Sequence, residues 1–202
     1  LIFQDPQTSL NPLLTVGKQL IETIQTHLSL NLNESKTKAI NLLKEVGIKD
    51  AESRFDNYPH QFSGGMRQRV VISLALCCEP ELLIADEPTT ALDVSIQSQI
   101  LELIKTLTKE RNLAVILITH DMGVISETAD RVAVMKNGHL IEIGSTKEIL
   151  TNPKELYTKS LISSVPPTNK KILRFRIIEK EKKNEGEINI KILNRWNKKE
   201  II

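Results

Sequence analysis

Two apolar runs constrain most strongly what this chain can fold into. Residues 82–85 (Leu-Leu-Ile-Ala) end at Asp86-Glu87, and residues 114–119 end at His120-Asp121. Short unbroken apolar runs suit strands covered on both faces, as in a parallel sheet. Between them Ile96, Ile100, Ile104 and Leu107 recur at helical spacing. Strand, helix and strand in this order predict an α/β fold, whose ligand sites lie beyond the carboxyl ends of its strands. Asp86, Glu87 and His120 stand at those ends.

The flanking segments extend this frame. Leu1-Ile2-Phe3 reads as a strand end, followed by the loop Gln4-Asp5-Pro6. Val16, Leu20, Ile21, Ile24 and Leu28 mark one face of a helix. A second helix, with Asn33 as its N-cap, places Ala39, Ile40, Leu43 and Val46 on one side and stops at Gly47. Residues 12–61 thus form a helical lobe, with 48–61 an irregular connection. Ser63-Gly64-Gly65 opens a helix that runs to about Cys78 and is stopped by Pro80. Beyond the second strand, apolar runs on either side of Asn137-Gly138 predict a hairpin. Ser145 and Glu148 form a capping box, Asn152-Pro153 ends that helix, and a last helix reaches Ser164. Residues 167–202 form a separate tail, read as a weak hairpin or as disorder from the alternation of Ile172, Arg174 and Arg176 and of Ile188, Ile190 and Ile192.

Charge and cysteine content narrow the function classes. The tail from Thr168 carries eleven Lys/Arg against five Asp/Glu, so a net charge of +2 hides a basic tail on a mildly acidic body. Such a tail is a solvated surface or a contact for a membrane or nucleic acid. Cys77 and Cys78 are adjacent, which suits neither a disulfide framework nor a zinc site and points to a reducing compartment. No signal-peptide pattern is present, and no apolar run approaches the ~20 residues of a spanning helix. A membrane role is therefore that of a peripheral partner.

Each candidate site residue has a bland reading beside a chemical one. Asp86-Glu87 suits a metal ligand followed by a group that polarises water, or simply a polar turn after a strand. Ser63, Gly64 and Gly65 offer an N-cap hydroxyl and open backbone N–H groups to an anion, or only a Gly-rich turn. Arg67 and Arg69 read as surface ion-pair formers. His120 suits a phosphate contact or a structural role, Gln4 a ligand to metal or water, and Asp93 a cap for the helix beginning at Val94.

Their order and spacing, however, match one family. The chain resembles the nucleotide-binding subunits of ABC transporters. Ile2-Phe3-Gln4-Asp5-Pro6 is similar to the Q-loop, Phe62-Ser63-Gly64-Gly65-Met66 to the LSGGQ signature, and residues 82–87 to Walker B with its catalytic glutamate. Ala91-Leu92-Asp93 is similar to the D-loop and Ile118-Thr119-His120-Asp121 to the switch histidine. Thr8-Ser9-Leu10-Asn11-Pro12, Tyr58-Pro59-His60 and Met66-Arg67-Gln68-Arg69-Val70 point to the oligopeptide/dipeptide importer branch, which includes nickel importers. The resemblance covers residues 1–166. No GxxxxGK[ST] occurs in the sequence, and no cysteine follows Cys78, so no iron–sulfur cluster is expected.

The resemblance implies a P-loop NTPase-like ABC ATPase fold: a parallel sheet core with an inserted helical lobe, its N-terminal strands missing, and a RecA-like part over about 80–166. It implies ATP and Mg²⁺ as ligands. Asp86 and Gln4 would serve the metal, and Glu87, His120 and Gln4 the chemistry. Ser63, Gly64 and Gly65 would meet a nucleotide held by a second nucleotide-binding subunit, and Asp93 would lie at the dimer contact. The implied partners are transmembrane permease subunits, that second subunit (identical or sister) and, through the permease, a substrate-binding protein, at the cytoplasmic face of the membrane. Nucleic acid is not expected. The 202-residue chain is read as the back part of a longer subunit, not competent for hydrolysis alone. Rival readings are a soluble ABC-type ATPase acting on nucleic acid or ribosomes, and a non-catalytic remnant.

Overall fold

The computed structural model describes residues 1–164 and the backbone of residues 188–195. It divides into two compact units, Leu1–Val115 and Ile116–Arg195.

In the first unit the chain enters beside the sheet. Ile2 forms a single parallel bridge to Ala85, less than a full strand. A one-turn helix α1 (Pro6–Ser9) is capped by Asp5, whose side chain accepts from Gln7 N–H. Helices α2 (Val16–His27) and α3 (Leu32–Glu45) pack against each other. Val16, Leu20 and Ile24 of α2 face Ala39, Leu42 and Leu43 of α3 as the buried layer. The α3 cap is Asn31, not Asn33: Asn31 and Glu34 satisfy each other's backbone N–H groups in a capping box. Asn33 lacks that reciprocal acid three residues on. Gly47 ends the helix at φ 80, where a side chain is costly. The segment 48–61, expected to be irregular, contains α4 (Ala51–Arg54) and a 3₁₀ turn over Pro59–Gln61. It is locked by Phe55, whose ring lies so close to α2 that a Cβ at Gly17 would overlap it.

Helix α5 (Gly64–Leu76) touches α1, α2, α3 and α6 (Val94–Arg111), and is the hub of this unit. Fully buried Ile72 and Leu76, with Leu20, Ile24, Leu43 and Ile100, form the core. Each such side chain stabilises the fold by about 1.5–3 kcal/mol. Cys77, at the end of α5, is buried, and burial pushes its thiol up to about 12. Strand β1 (Leu82–Asp86) buries Leu83 and Ala85, whereas Leu82 is 47% exposed. Its apolar run is therefore fully covered on one face and only partly on the other, where Ile84 is half-buried. Ala114 N–H, at the start of β2 (Ala114–Ile118), donates to Glu81 O at 2.9 Å.

The second unit carries α7 (Met122–Thr128) and a hairpin of β3 (Arg131–Lys136) and β4 (His139–Ser145). Asn137 and Gly138 turn it with φ of 49 and 78, the two positive values a tight hairpin turn requires. Ser145 and Glu148 form the expected capping box of α8 (Thr146–Thr151). Glu142 of β4 accepts from Lys154 N–H and Glu155 N–H, holding the start of α9 (Leu156–Ser163). Strand β5 (Ile188–Arg195) pairs antiparallel with β3, Ile188 opposite Lys136 and Leu193 opposite Arg131. The alternation of Ile188, Ile190 and Ile192 thus forms a strand, while the other arm of the expected hairpin, and the rest of the tail, lie outside the described residues. No helix among the described residues is long and apolar enough to cross a membrane.

Candidate functional site

Strand β1 sets the position of the acids. Ile2 N–H donates to Ile84 O at 2.8 Å, and Asp86 N–H donates to Ile2 O at 2.9 Å. This pairing carries Gln4 to the end of β1, where its Nε2 donates to Glu87 Oε2 at 2.7 Å, joining residues 83 apart in sequence. Thr90 Oγ1 donates to the same oxygen at 2.9 Å. Glu87 has φ 44, a left-handed conformation that costs a residue with a Cβ about 1–2 kcal/mol. Thr90 N–H, donating to Glu87 O at 3.2 Å, closes the turn that holds it there. The carboxylate is thus aimed by two side chains and a strained backbone, the kind of strain that gathers at functional sites.

The loop after Glu87 is tied to α6. Gln97 Nε2 donates to Thr89 Oγ1 at 3.2 Å, and Leu92 N–H donates to Thr89 O at 3.0 Å. Asp93 occupies the N-cap position but makes no side-chain cap bond; only its carbonyl serves the helix, accepting from Gln97 N–H at 2.8 Å. The capping role expected of its carboxylate is absent.

Ser63 caps α5, its hydroxyl accepting from Met66 N–H at 3.4 Å, and Ser63 and Gly64 are exposed. A Cβ at Gly65 would come within 2.7 Å of Ile96 Cγ2, so the first turn of α5 lies directly against α6. Arg67 and Arg69 are not surface ion-pair formers. Arg67 Nε donates to Pro59 O at 2.8 Å and Arg69 Nη1 to Val46 O at 2.6 Å, which fixes α5 to the segments before it.

The first unit therefore holds Gln4, Ser63, Gly64, Gly65, Asp86, Glu87 and Asp93, and brings Gln4 and Glu87 into direct contact. His120 belongs to the second unit, exposed at the bend between β2 and α7. Next to it, Asp121 caps α7 by accepting from Gly123 N–H at 2.7 Å. Thr90 and Gln97 were not singled out from sequence. The spacing of Thr90, three residues after Glu87, was the available signal.

Among the described residues no group of three or more His, Cys, Asp or Glu gathers to hold a metal ion. The Asp86 carboxylate and Gln4 amide oxygen are instead the sparse, hard donors that suit Mg²⁺ completed by phosphates and water.

Residues 1–90 match the ABC transporter family, and residues 141–191 the oligopeptide/dipeptide transporter C-terminal region. The dipeptide transport ATP-binding protein DppD of Bacillus subtilis is 55% identical over 166 residues, which cover 82% of this chain and 50% of that protein. The oligopeptide transport ATP-binding protein AmiE of Streptococcus pneumoniae is 52% identical over 165 residues, covering 82% and 46%. The glutathione import ATP-binding protein GsiA of Escherichia coli is 53% identical over 166 residues, covering 82% and 27%. The chain thus spans about half the length, or less, of these curated relatives. Among solved structures, cbiO1 from Clostridium perfringens, part of the ABC transporter complex cbiONQ, aligns with a TM-score of 0.65 at 33% identity, covering 75% of this chain and 58% of that one. The post-hydrolysis dimer of the ATP-binding cassette MJ0796 bound to ADP and Pi aligns with a TM-score of 0.61 at 29% identity, covering 72% and 61%. With the motifs in order and the C-terminal region behind them, residues 1–90 belong to the ABC transporter family and residues 141–191 to the oligopeptide/dipeptide transporter C-terminal region.

Proposed function

We propose that the chain forms part of the ATP-binding, ATP-hydrolysing subunit of an ABC importer for oligopeptides or dipeptides. The observation that carries this reading is the 2.7 Å hydrogen bond from Gln4 to Glu87, which joins two distant motifs into one corner at the end of β1. Glu87, aimed by Gln4 and Thr90, orients the attacking water and accepts its proton. Asp86 and Gln4 hold Mg²⁺, which when bound neutralises charge on the phosphates. His120 contacts the γ-phosphate. The open start of α5, at Ser63, Gly64 and Gly65, receives the phosphate of a nucleotide carried by a second nucleotide-binding subunit, as a preformed electrostatic clamp. Asp93, whose side chain caps nothing, is available to that dimer contact. The helical lobe, about residues 12–61, docks on permease subunits at the cytoplasmic face of the membrane, and Gln4 relays closure to it. Tighter ATP binding by the closed dimer shifts the permease, and hydrolysis releases it.

Co-assembly of the chain with permease and a nucleotide-binding partner in proteoliposomes tests this reading. ATP-dependent uptake of labelled di- or oligopeptide is expected. Hydrolysis stimulated by ribosomes or single-stranded nucleic acid, without peptide uptake, would instead support a soluble ATPase.

A further inference from the structure

The two thiols at the far end of α5 take no part in the site at the end of β1. Side chains at adjacent helix positions do not face each other, yet Cys77 Sγ and Cys78 Sγ lie 3.5 Å apart. The pair sits where the helix ends: Cys77 is the C-cap residue, and Glu79, two positions on, has φ 54. Cys77 is buried, its thiol donating to Leu74 O at 3.1 Å. Cys78 is half-buried and lines a cavity of about 330 Å³ within the first unit. Thr23 and His27 of α2 and Val71, Leu74 and Ala75 of α5 share that lining, and no Asp, Glu, Lys or Arg does. One thiol is thus reached from the cavity, and the second stands within 3.5 Å of the first.

Geometry separates the occupants that a dithiol can take. A disulfide needs its sulfurs at about 2.05 Å, and between neighbouring residues it closes a small, strained ring. Tetrahedral zinc needs two further ligands, and among the described residues no group of three or more His, Cys, Asp or Glu gathers. Trivalent arsenic is a soft, pyramidal centre that holds two sulfurs at close to a right angle, so this pair alone suffices for it. Its oxyacid is uncharged at neutral pH and suits a cavity that offers no carboxylate to a cation. We propose that Cys77 and Cys78 form a capture site for trivalent arsenic, as arsenite or an organoarsenical, entered through the cavity at Cys78. An As–S bond forms to Cys78 as an As–O bond breaks, and the thiol proton leaves with that oxygen as water. Cys77 repeats the exchange at the same arsenic, releasing a second water. Arsenic and sulfur keep their oxidation states, so no oxidant or reductant is consumed. The site is independent of the nucleotide reading.

The test incubates the 202-residue chain with phenylarsine oxide and follows adduct formation by native mass spectrometry, with circular dichroism to confirm that each variant is folded. Wild type should take one phenylarsenic group per chain, keep it against excess glutathione and release it to 2,3-dimercaptopropanol. Cys77→Ser and Cys78→Ser should each weaken capture by about 10²–10⁴-fold, the avidity that joining two contacts confers. Adjacent thiols survive unfolding, so the cavity needs its own readout. Ala75→Phe, which narrows the cavity, should slow capture by the folded chain, and Leu74→Ala, which widens it, should speed it. Neither should change capture by the urea-unfolded chain. Capture that glutathione reverses, or that either serine variant retains in full, would reduce the site to a single thiol and overturn the proposal. No adduct on the folded chain, or rates indifferent to both cavity variants, would overturn entry at Cys78.

Discussion

The end of β1 and the start of α5 both lie in the first unit, yet they are finished to different degrees. At the end of β1, Glu87 takes Gln4 and Thr90 as donors on a single oxygen. At the start of α5, Ser63 and Gly64 are exposed, and the neighbouring Lys49 and Arg54 enter no ion pair among the described residues. One region supplies an oriented acid; the other supplies positive charge that no carboxylate among the described residues pairs with. The difference accords with the proposal that this chain acts on one nucleotide and clamps another.

The comparison breaks first at Glu87. Replacement by Gln keeps the size and the Thr90 contact but removes the base, and steady-state hydrolysis by the assembled complex should fall by about 10²–10⁴-fold with Mg·ATP binding retained. Next is Gly65→Ala, whose added carbon would meet Ile96 at 2.7 Å. Overpacking of that kind costs about 1–3 kcal/mol, to be read as a lower denaturation midpoint. A midpoint equal to wild type would mean that α5 and α6 are not tightly apposed. Gln4→Ala removes a bond to a charged group, and Thr90→Val a second one. Each loss is worth about 1.5–3 kcal/mol where the contact is shielded from water and less at this exposed corner. Both should lower hydrolysis by less than Glu87→Gln does, with the Thr90 variant the milder because the backbone turn remains. The smallest effect concerns the far end of α5. Burial holds the Cys77 thiol protonated, up to about 12, so at pH 8 iodoacetamide should modify Cys78 before Cys77. Equal rates would show that the end of α5 opens readily.

Local signals carried much of the fold. The Asn137-Gly138 turn, the Ser145–Glu148 box and the period of Ile100, Ile104 and Leu107 are short-range physics, and each appears where the sequence puts it. The α3 cap was legible too: Glu34 stands three residues after Asn31, and that pairing selects Asn31 over Asn33. Other features depend on what packs where. An apolar run does not report whether one face or two will be covered, and Leu82 is exposed although its neighbours in the run are not. An arginine on a helix does not announce a carbonyl partner 23 residues away, as Arg69 finds in Val46. The Gln4–Glu87 contact spans 83 residues. No periodicity encodes it, so only the order of motifs brought the two residues under one reading.

The most direct test of the central claim is steady-state ATP hydrolysis by the chain assembled with its permease and nucleotide-binding partner, wild type against Glu87→Gln. A rate that drops at least about a hundredfold, with nucleotide still bound, is the predicted result. A rate unchanged by the substitution would show that the carboxylate held by Gln4 and Thr90 is not the group that acts on water.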